Sequence, residues 1–297
     1  MAVEALDFLL SQLKKRPIYI FHEIVHNKHI VERFRKSGAV FVESIEEVPV
    51  GEILLFSAHG VSPAVRASAA TRRLVTIDAT CPLVTKVHME AIKFARQGYD
   101  IIFIGHAGHD EVLGTMGEAP DRIRLVENEK DVDCLERVST KMVYLTQTTL
   151  SVDDAERIIQ RLKKKFPDIV GPAREDICYA TQNRQSAVRE LSKDVDLVLV
   201  VGSHNSSNSI RLTEVTRENG VPSILINGPE ELNLDFVGKF SRVLVTAGAS
   251  APDDLVWSVI TSLQNKVGAT LSEIVVQEEN VHFPPPKELR DSTALPG

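Results

Sequence analysis

Cys81 stands 24 positions before Gly105, and Cys178 stands 24 positions before Gly202 (105 − 81 and 202 − 178), with a helix-like stretch and then a strand-like run inside each interval. Equal spacing of matching elements marks an internal repeat, and a repeat constrains architecture more tightly than any single motif. The strand-like runs are Ile101-Ile102-Phe103-Ile104 and Leu197-Val198-Leu199-Val200-Val201, with Ile18-Tyr19-Ile20-Phe21 as an earlier third copy. A second set completes each unit: Ile53-Leu54-Leu55-Phe56, Met142-Val143-Tyr144-Leu145 and Val243-Leu244-Val245, each followed by a small or polar cluster. Strands alternating with helical segments imply parallel sheets. The fold class expected is therefore α/β, with three pseudo-symmetric lobes forming a trefoil around a central cavity. Its lobes are 1–80, 81–177 and 178–270, with a tail, 271–297, closing on them. Ligands of such sheets bind outside the carboxyl ends of the strands. Residues 22–27, His59, 105–111, 146–149, 203–208 and Ser250 all fall at such ends and can converge on one site.

The same repeat says something about the first lobe. Counting 24 positions back from His22 lands near −2 (22 − 24), so a cysteine is expected a few residues upstream of Met1. The stretch from Ala2 to about Lys14 carries Val3, Leu6, Leu9, Leu10 and Leu13 on one helical face. No Ser, Thr, Asp or Asn precedes it, so it reads as a helix entered partway along. A shortened relative that has lost one ligand is the alternative.

Cysteines at the start of a helix have their thiolates favoured by free N–H groups and the positive end of the helix dipole, and Pro82 suits a first helical position. Three symmetric thiolates would hold a 4Fe-4S cluster with one iron left open. The closely spaced cysteine runs of electron-transfer ferredoxins are absent, and by residue type alone zinc also suits such ligands. Cys134 falls outside the repeat and is expected to serve structure only. Three cysteines in all are too few and too odd for a disulfide framework.

Bulk properties exclude several classes. The chain is 297 residues long, 43% hydrophobic and 25% charged, enough for a sizeable core in an ordinary globular protein. A formal net charge of −7 with no basic patch argues against nucleic acid, so an anionic ligand would need neutral donors. No apolar run reaches the roughly 18 residues of a membrane span, and Met1-Ala2-Val3-Glu4 lacks the regions of a signal peptide. A cytoplasmic location is expected.

Several segments together resemble the LytB family of hydroxymethylbutenyl diphosphate reductases over nearly the whole chain. They are His22-Glu23-Ile24-Val25-His26-Asn27, Ser57-Ala58-His59-Gly60-Val61, Asp78-Ala79-Thr80-Cys81-Pro82, Gly105-His106-Ala107-Gly108-His109-Asp110-Glu111, Thr146-Gln147-Thr148-Thr149, Asp176-Ile177-Cys178-Tyr179, Asn205-Ser206-Ser207-Asn208 and Ala247-Gly248-Ala249-Ser250. Pro286-Lys287-Glu288-Leu289-Arg290 is similar to the family's C-terminal segment, while its Gly-Phe-Cys-Ala-Gly block is absent.

The resemblance implies an iron-sulfur oxidoreductase carrying out a two-electron reductive dehydroxylation of (E)-4-hydroxy-3-methylbut-2-enyl diphosphate. The products are isopentenyl and dimethylallyl diphosphate, the last step of the methylerythritol phosphate route. It implies Cys81 and Cys178 as ligands of a 4Fe-4S cluster, with the third expected upstream of Met1. It implies Glu111 as proton donor, Thr148 as partner of the substrate hydroxyl, and His26, His59, His109, Ser206, Ser207, Asn208 and Ser250 as the diphosphate pocket. Ferredoxin or flavodoxin is the implied electron donor. A carboxyl in a closed pocket near anions should have a raised pKa, which agrees with the role given to Glu111. A binding module that keeps the diphosphate pocket without turnover, and a zinc-stabilised scaffold, are the competing classes. The scaffold would need neither Glu111 nor Thr148.

Overall fold

A computed structural model describes residues 1–13, 16–137 and 139–290. Three parallel sheets account for every strand found in them. The first sheet has order β2-β1-β3-β4, from β1 (Ile18–Phe21), β2 (Ala39–Val42), β3 (Ile53–Phe56) and β4 (Val75–Asp78). The second has order β6-β5-β7, from β5 (Asp100–Ile104), β6 (Ile123–Val126) and β7 (Met142–Thr146). The third has order β10-β8-β9, from β8 (Leu197–Val201), β9 (Ser223–Ile226) and β10 (Val243–Ala247). The three sheets repeat one register: Ile20 pairs with Phe41 and Leu55, Phe103 with Leu125 and Leu145, Leu199 with Ile224 and Val245.

The helices are α1 (Ala2–Gln12), α2 (Lys28–Lys36), α3 (Pro63–Thr71), α4 (Pro82–Arg96), α5 (Asp110–Glu118), α6 (Glu129–Cys134), α7 (Val152–Lys165), α8 (Tyr179–Leu191), α9 (Ser207–Glu218), α10 (Leu234–Val237), α11 (Asp253–Val267) and α12 (Lys287–Arg290). Helix α1 ends at Gln12 without a side-chain cap at Met1; Lys14, the expected end, lies outside the described residues.

Every side chain of β5 and β8 is buried, because helices cover both faces of their sheets. Strand side chains alternate between faces, so each sheet feeds two apolar clusters. In the first lobe Ile18, Ile20, Ile53 and Leu55 pack with Leu6, Leu9 and Phe34, while Phe21, Leu54 and Phe56 pack with Ile45 and Ala69 on the opposite face. The second and third lobes repeat this two-faced arrangement.

Sequence reading finds six of the ten strands. The other four, β2, β4, β6 and β9, are four-residue edge strands; β4, β6 and β9 have mixed composition, such as Ile-Arg-Leu-Val in β6, and the apolar β2 is short with an exposed Val40. Cys134 ends α6 exposed to solvent, away from the cavity wall that Cys81 and Cys178 share.

The fold positions its site through helix N-termini. Helices α1, α4 and α8 precede the central strands of the three lobes, with N-caps Met1, Cys81 and Cys178. Helices α2, α5 and α9 follow those strands, with N-caps Asn27, His109 and Ser206. After α11 the chain runs back along the third lobe, where Glu279 accepts from Asn183 of α8 at 2.9 Å, and Leu289 then packs against the apolar core of the first lobe.

Candidate active site

One cavity of about 450 Å³ is lined by residues from all three lobes, including Met1, His26, His59, Cys81, His109, Glu111, Thr148, Cys178, Ser206, Ser207, Asn208 and Ser250. Every site residue inferred from the sequence is on its wall. Val25, Ile30, Leu83, Val84, Pro252 and Phe283 add apolar surface. Apolar wall beside convergent polar groups is the usual make-up of a small-molecule site.

Glu111 and Thr148 form the best-defined pair. The Thr148 backbone N–H donates to Glu111 Oε1 at 2.7 Å, and the Thr148 hydroxyl donates to Oε2 at 2.9 Å. Both residues are buried. Burial pushes the Glu111 carboxyl up to about 7; the two Thr148 hydrogen bonds oppose this, and the nearby Asp176 charge adds to it. A carboxyl poised there gives and takes protons near neutral pH.

Cys81 and Cys178 occupy equivalent N-cap positions on the cavity wall, and the third equivalent N-cap is Met1. Burial lifts the Cys81 thiol above its ordinary value, the backbone N–H groups of Leu83 and Val84 pull it back, and Cys178 and Glu111 add repulsion. A positive ion between the two thiols would relieve that repulsion, so this pair suits thiolate ligation of iron or another soft metal. The cysteine loops are also tied together. Lys86 on α4 donates to Asp176 Oδ1 at 2.7 Å, Asp176 Oδ2 accepts from the Thr146 backbone at 3.0 Å, and Cys178 N–H bonds Thr148 O at 2.9 Å.

The same cavity wall carries imidazoles, hydroxyls and an amide. His26 and His59 stack with centroids 4.0 Å apart, and His109 stands edge-on to both. Among the described residues no Lys or Arg lines the cavity. Asn208 is buried, and among the described residues neither its Oδ1 nor its Nδ2 has a hydrogen-bond partner. Buried amides are normally satisfied, so this one awaits a ligand. Ser207 donates to Thr149 O at 3.2 Å and Ser250 donates to His26 O at 3.0 Å, so both hydroxyls also join lobes.

Two glycines let α9 pack closely on the ends of β8 and β10 beside this pocket. A Cβ on either Gly202 or Gly248 would overlap Ser209, whose hydroxyl bonds the N-cap Ser206 at 3.0 Å. Gly248→Ala should cost about 1–3 kcal/mol in urea unfolding, the usual penalty for overpacking. No loss would mean that Ser209 can turn away.

Three residues in the converging segments, Glu23, His22 and Asp110, receive no role of their own from the sequence. His22 Nδ1 lies 2.7 Å from Asp110 Oδ1, and His22 sits in the left-handed region at φ 57°. Histidine is among the residue types enriched in that region, and from it the ring reaches Asp110 across the lobe boundary. His26, His59 and Asp110 each bring a potential ligand atom within 4.8 Å of the others, so this corner also has the donor types of a metal site.

Fold and cavity together define a three-lobed α/β oxidoreductase acting on a small anionic substrate. The chain belongs to the LytB protein family, which it matches over residues 1–264. A 4-hydroxy-3-methylbut-2-enyl diphosphate reductase of Rhodopirellula baltica is 57% identical over 291 residues, 98% of this chain and 91% of that protein. One of the same description from Alcanivorax borkumensis is 54% identical over 279 residues, covering 92% and 90%. The solved E-1-hydroxy-2-methyl-but-2-enyl-4-diphosphate reductase from Plasmodium falciparum superposes with a TM-score of 0.94 at 40% identity, over 97% of this chain and 92% of that one. No helix among the described residues is long and apolar enough to cross a membrane.

Proposed function

We propose that this chain reduces (E)-4-hydroxy-3-methylbut-2-enyl diphosphate to isopentenyl and dimethylallyl diphosphate. The observation that carries the reading is the Glu111–Thr148 pair, a carboxyl held near neutrality on the wall shared with Cys81 and Cys178. The overall change breaks one C–O bond and consumes two electrons and two protons, releasing water.

Cys81 and Cys178 are two of the thiolates that would hold a 4Fe-4S cluster, with a third expected upstream of Met1. Such a cluster, when bound, supplies the electrons and a Lewis-acidic iron. A ferredoxin or flavodoxin is the proposed source of those electrons. Glu111 delivers a proton to the departing hydroxyl, and the Thr148 hydroxyl orients that oxygen while bonded to Oε2. His26, His59, His109, Ser206, Ser207, Asn208 and Ser250 anchor the diphosphate. The apolar wall fits the butenyl chain and keeps water from the reacting carbon.

The test is anaerobic reconstitution of this chain, and of a form extended upstream through one cysteine. Iron content, the electron paramagnetic resonance spectrum and reduction of the hydroxylated diphosphate are then measured. Iron and turnover at least in the extended form are expected. A form that loads iron yet leaves the substrate unreduced would sink the proposal. Diphosphate binding with no iron uptake by either form would favour the non-catalytic binding module, a reading that two thiolates alone would suit.

A further inference from the structure

The wall of the cavity is built by strand ends and helix N-termini of the three lobes, with one exception. Phe283 belongs to none of them. It lies on the stretch between α11 and α12, and that stretch runs from one cysteine-bearing element to the other. At one end Asn183, early in the helix that Cys178 caps, donates to Glu279 at 2.9 Å. At the other end α12 lies against β4, whose last residue, Asp78, stands three positions before Cys81. Leu289 there packs on the apolar cluster that holds Ile77 and Ala79.

The stretch between these anchors is lightly held. Every residue from Ala269 to His282 is exposed, and among the described residues no backbone hydrogen bond joins 270–286 to a lobe. Between Glu279 and Pro286 only Phe283 turns away from solvent, and it borders the cavity that Cys81 and Cys178 also line. Pro286, three positions on, is buried. The lobes, in contrast, are hydrogen-bonded sheets packed on both faces. A segment with exposed backbone and few apolar contacts opens far more readily than such a core unfolds. The cavity can therefore be uncovered along this line while the three sheets stay intact.

We propose that residues 279–289 are a strap that spans the two cysteine-bearing elements and closes the cavity between them, with Phe283 as its plug, so that its opening governs the access of reagents and metal to Cys81 and Cys178. For the metal this rests on reading the two thiols as ligands; for the thiols themselves it does not.

Cys134 supplies an internal clock, because it is exposed and lies off the cavity wall. The anaerobically purified, metal-free full chain is treated with iodoacetamide, and alkylation of each cysteine is followed by mass spectrometry. Wild type is compared with Phe283→Ala, which removes the plug, and Asn183→Ala, which frees the anchor at Glu279. In both variants Cys81 and Cys178 should react about tenfold faster relative to Cys134, as expected when one partly buried aromatic or its tether no longer holds the closed state. A bulky maleimide should discriminate between wild type and variants more strongly than iodoacetamide does. Phe283→Leu, which keeps an apolar plug, should fall between. The reconstituted chains give a second readout: iron should pass to a chelator faster in both alanine variants.

Unchanged relative rates at Cys81 and Cys178 in both alanine variants would overturn the strap. So would acceleration that simply follows each variant's urea midpoint, since that would report unfolding of the whole chain. Faster alkylation in chains that never load iron would leave the strap standing and remove the metal-ligand reading of the thiols. Iron loading with equal release and equal alkylation in every chain would do the reverse.

Discussion

Glu111→Gln should lower kcat by about a thousandfold in the reconstituted, reduced enzyme, the mid-range for removing a general acid. The amide keeps the volume of the carboxyl and can still accept the Thr148 backbone N–H, but it has no proton to give. With the Glu111 carboxyl at about 7, its protonated form dominates below that pH. Wild-type kcat/KM, which reports the free enzyme, should therefore be level on the acid side and fall about tenfold per pH unit well above 7. The variant should lack that arm. Its folding gives an independent check. Glu111 has a folded value near 7, raised above the ordinary 4.5, so its favourable contribution is fully present below about 4.5 and is lost as pH rises through 7. Relative to wild type, Glu111→Gln should gain on the order of 3 kcal/mol between pH 4.5 and 8, visible as a growing difference in Tm. A variant within tenfold of wild-type kcat would remove Glu111 from the reaction.

Lys86→Ala should destabilise the fold by about 3 kcal/mol, at the lower end for breaking a buried ion pair because the Lys86 side chain is partly exposed. Asp176 has a side chain that is 0% exposed, and its salt bridge to Lys86 spans 2.7 Å. Without the ammonium, Asp176 and Glu90 face each other uncompensated. Burial, with Asp176 next, already lifts the Glu90 carboxyl, and Lys86 is the group pulling it back. Removing Lys86 raises Glu90 further, so the deficit should be largest at neutral and alkaline pH. It should shrink as acid neutralises the carboxylate. Urea midpoints at pH 5 and pH 8 measure this; an equal loss at both would assign Lys86 a packing role only.

How much of this was legible beforehand depended on distance along the chain. Strands β3 and β8 are unbroken apolar runs buried throughout, and β1 and β5 depart from this only at the half-buried Tyr19 and the leading Asp100, so hydrophobicity alone reveals them. Edge strand β2 carries an exposed Val40, and β9 begins with a serine, so neither gives a clear period. The cavity itself was readable because the repeat places Cys81 and Cys178 at one structural position. The groups that support it were not. Asp110 reads locally as an acidic residue in a helix first turn, where the dipole favours it. Its partner His22 is 88 positions earlier, and Asn205 reaches Glu23 across 182. Pairings between lobes leave no periodic trace in one sequence.

The segment after α11 gives the molecule an unusual path. Since Leu289 returns to the core that α1 helps to build, the backbone traces a circuit through the three lobes and comes back to the first. The two ends of the described chain thus sit in one apolar cluster, as in proteins that tolerate circular permutation, where old termini are joined and new ones cut elsewhere. A tension applied between residues 1 and 290 would load that cluster first.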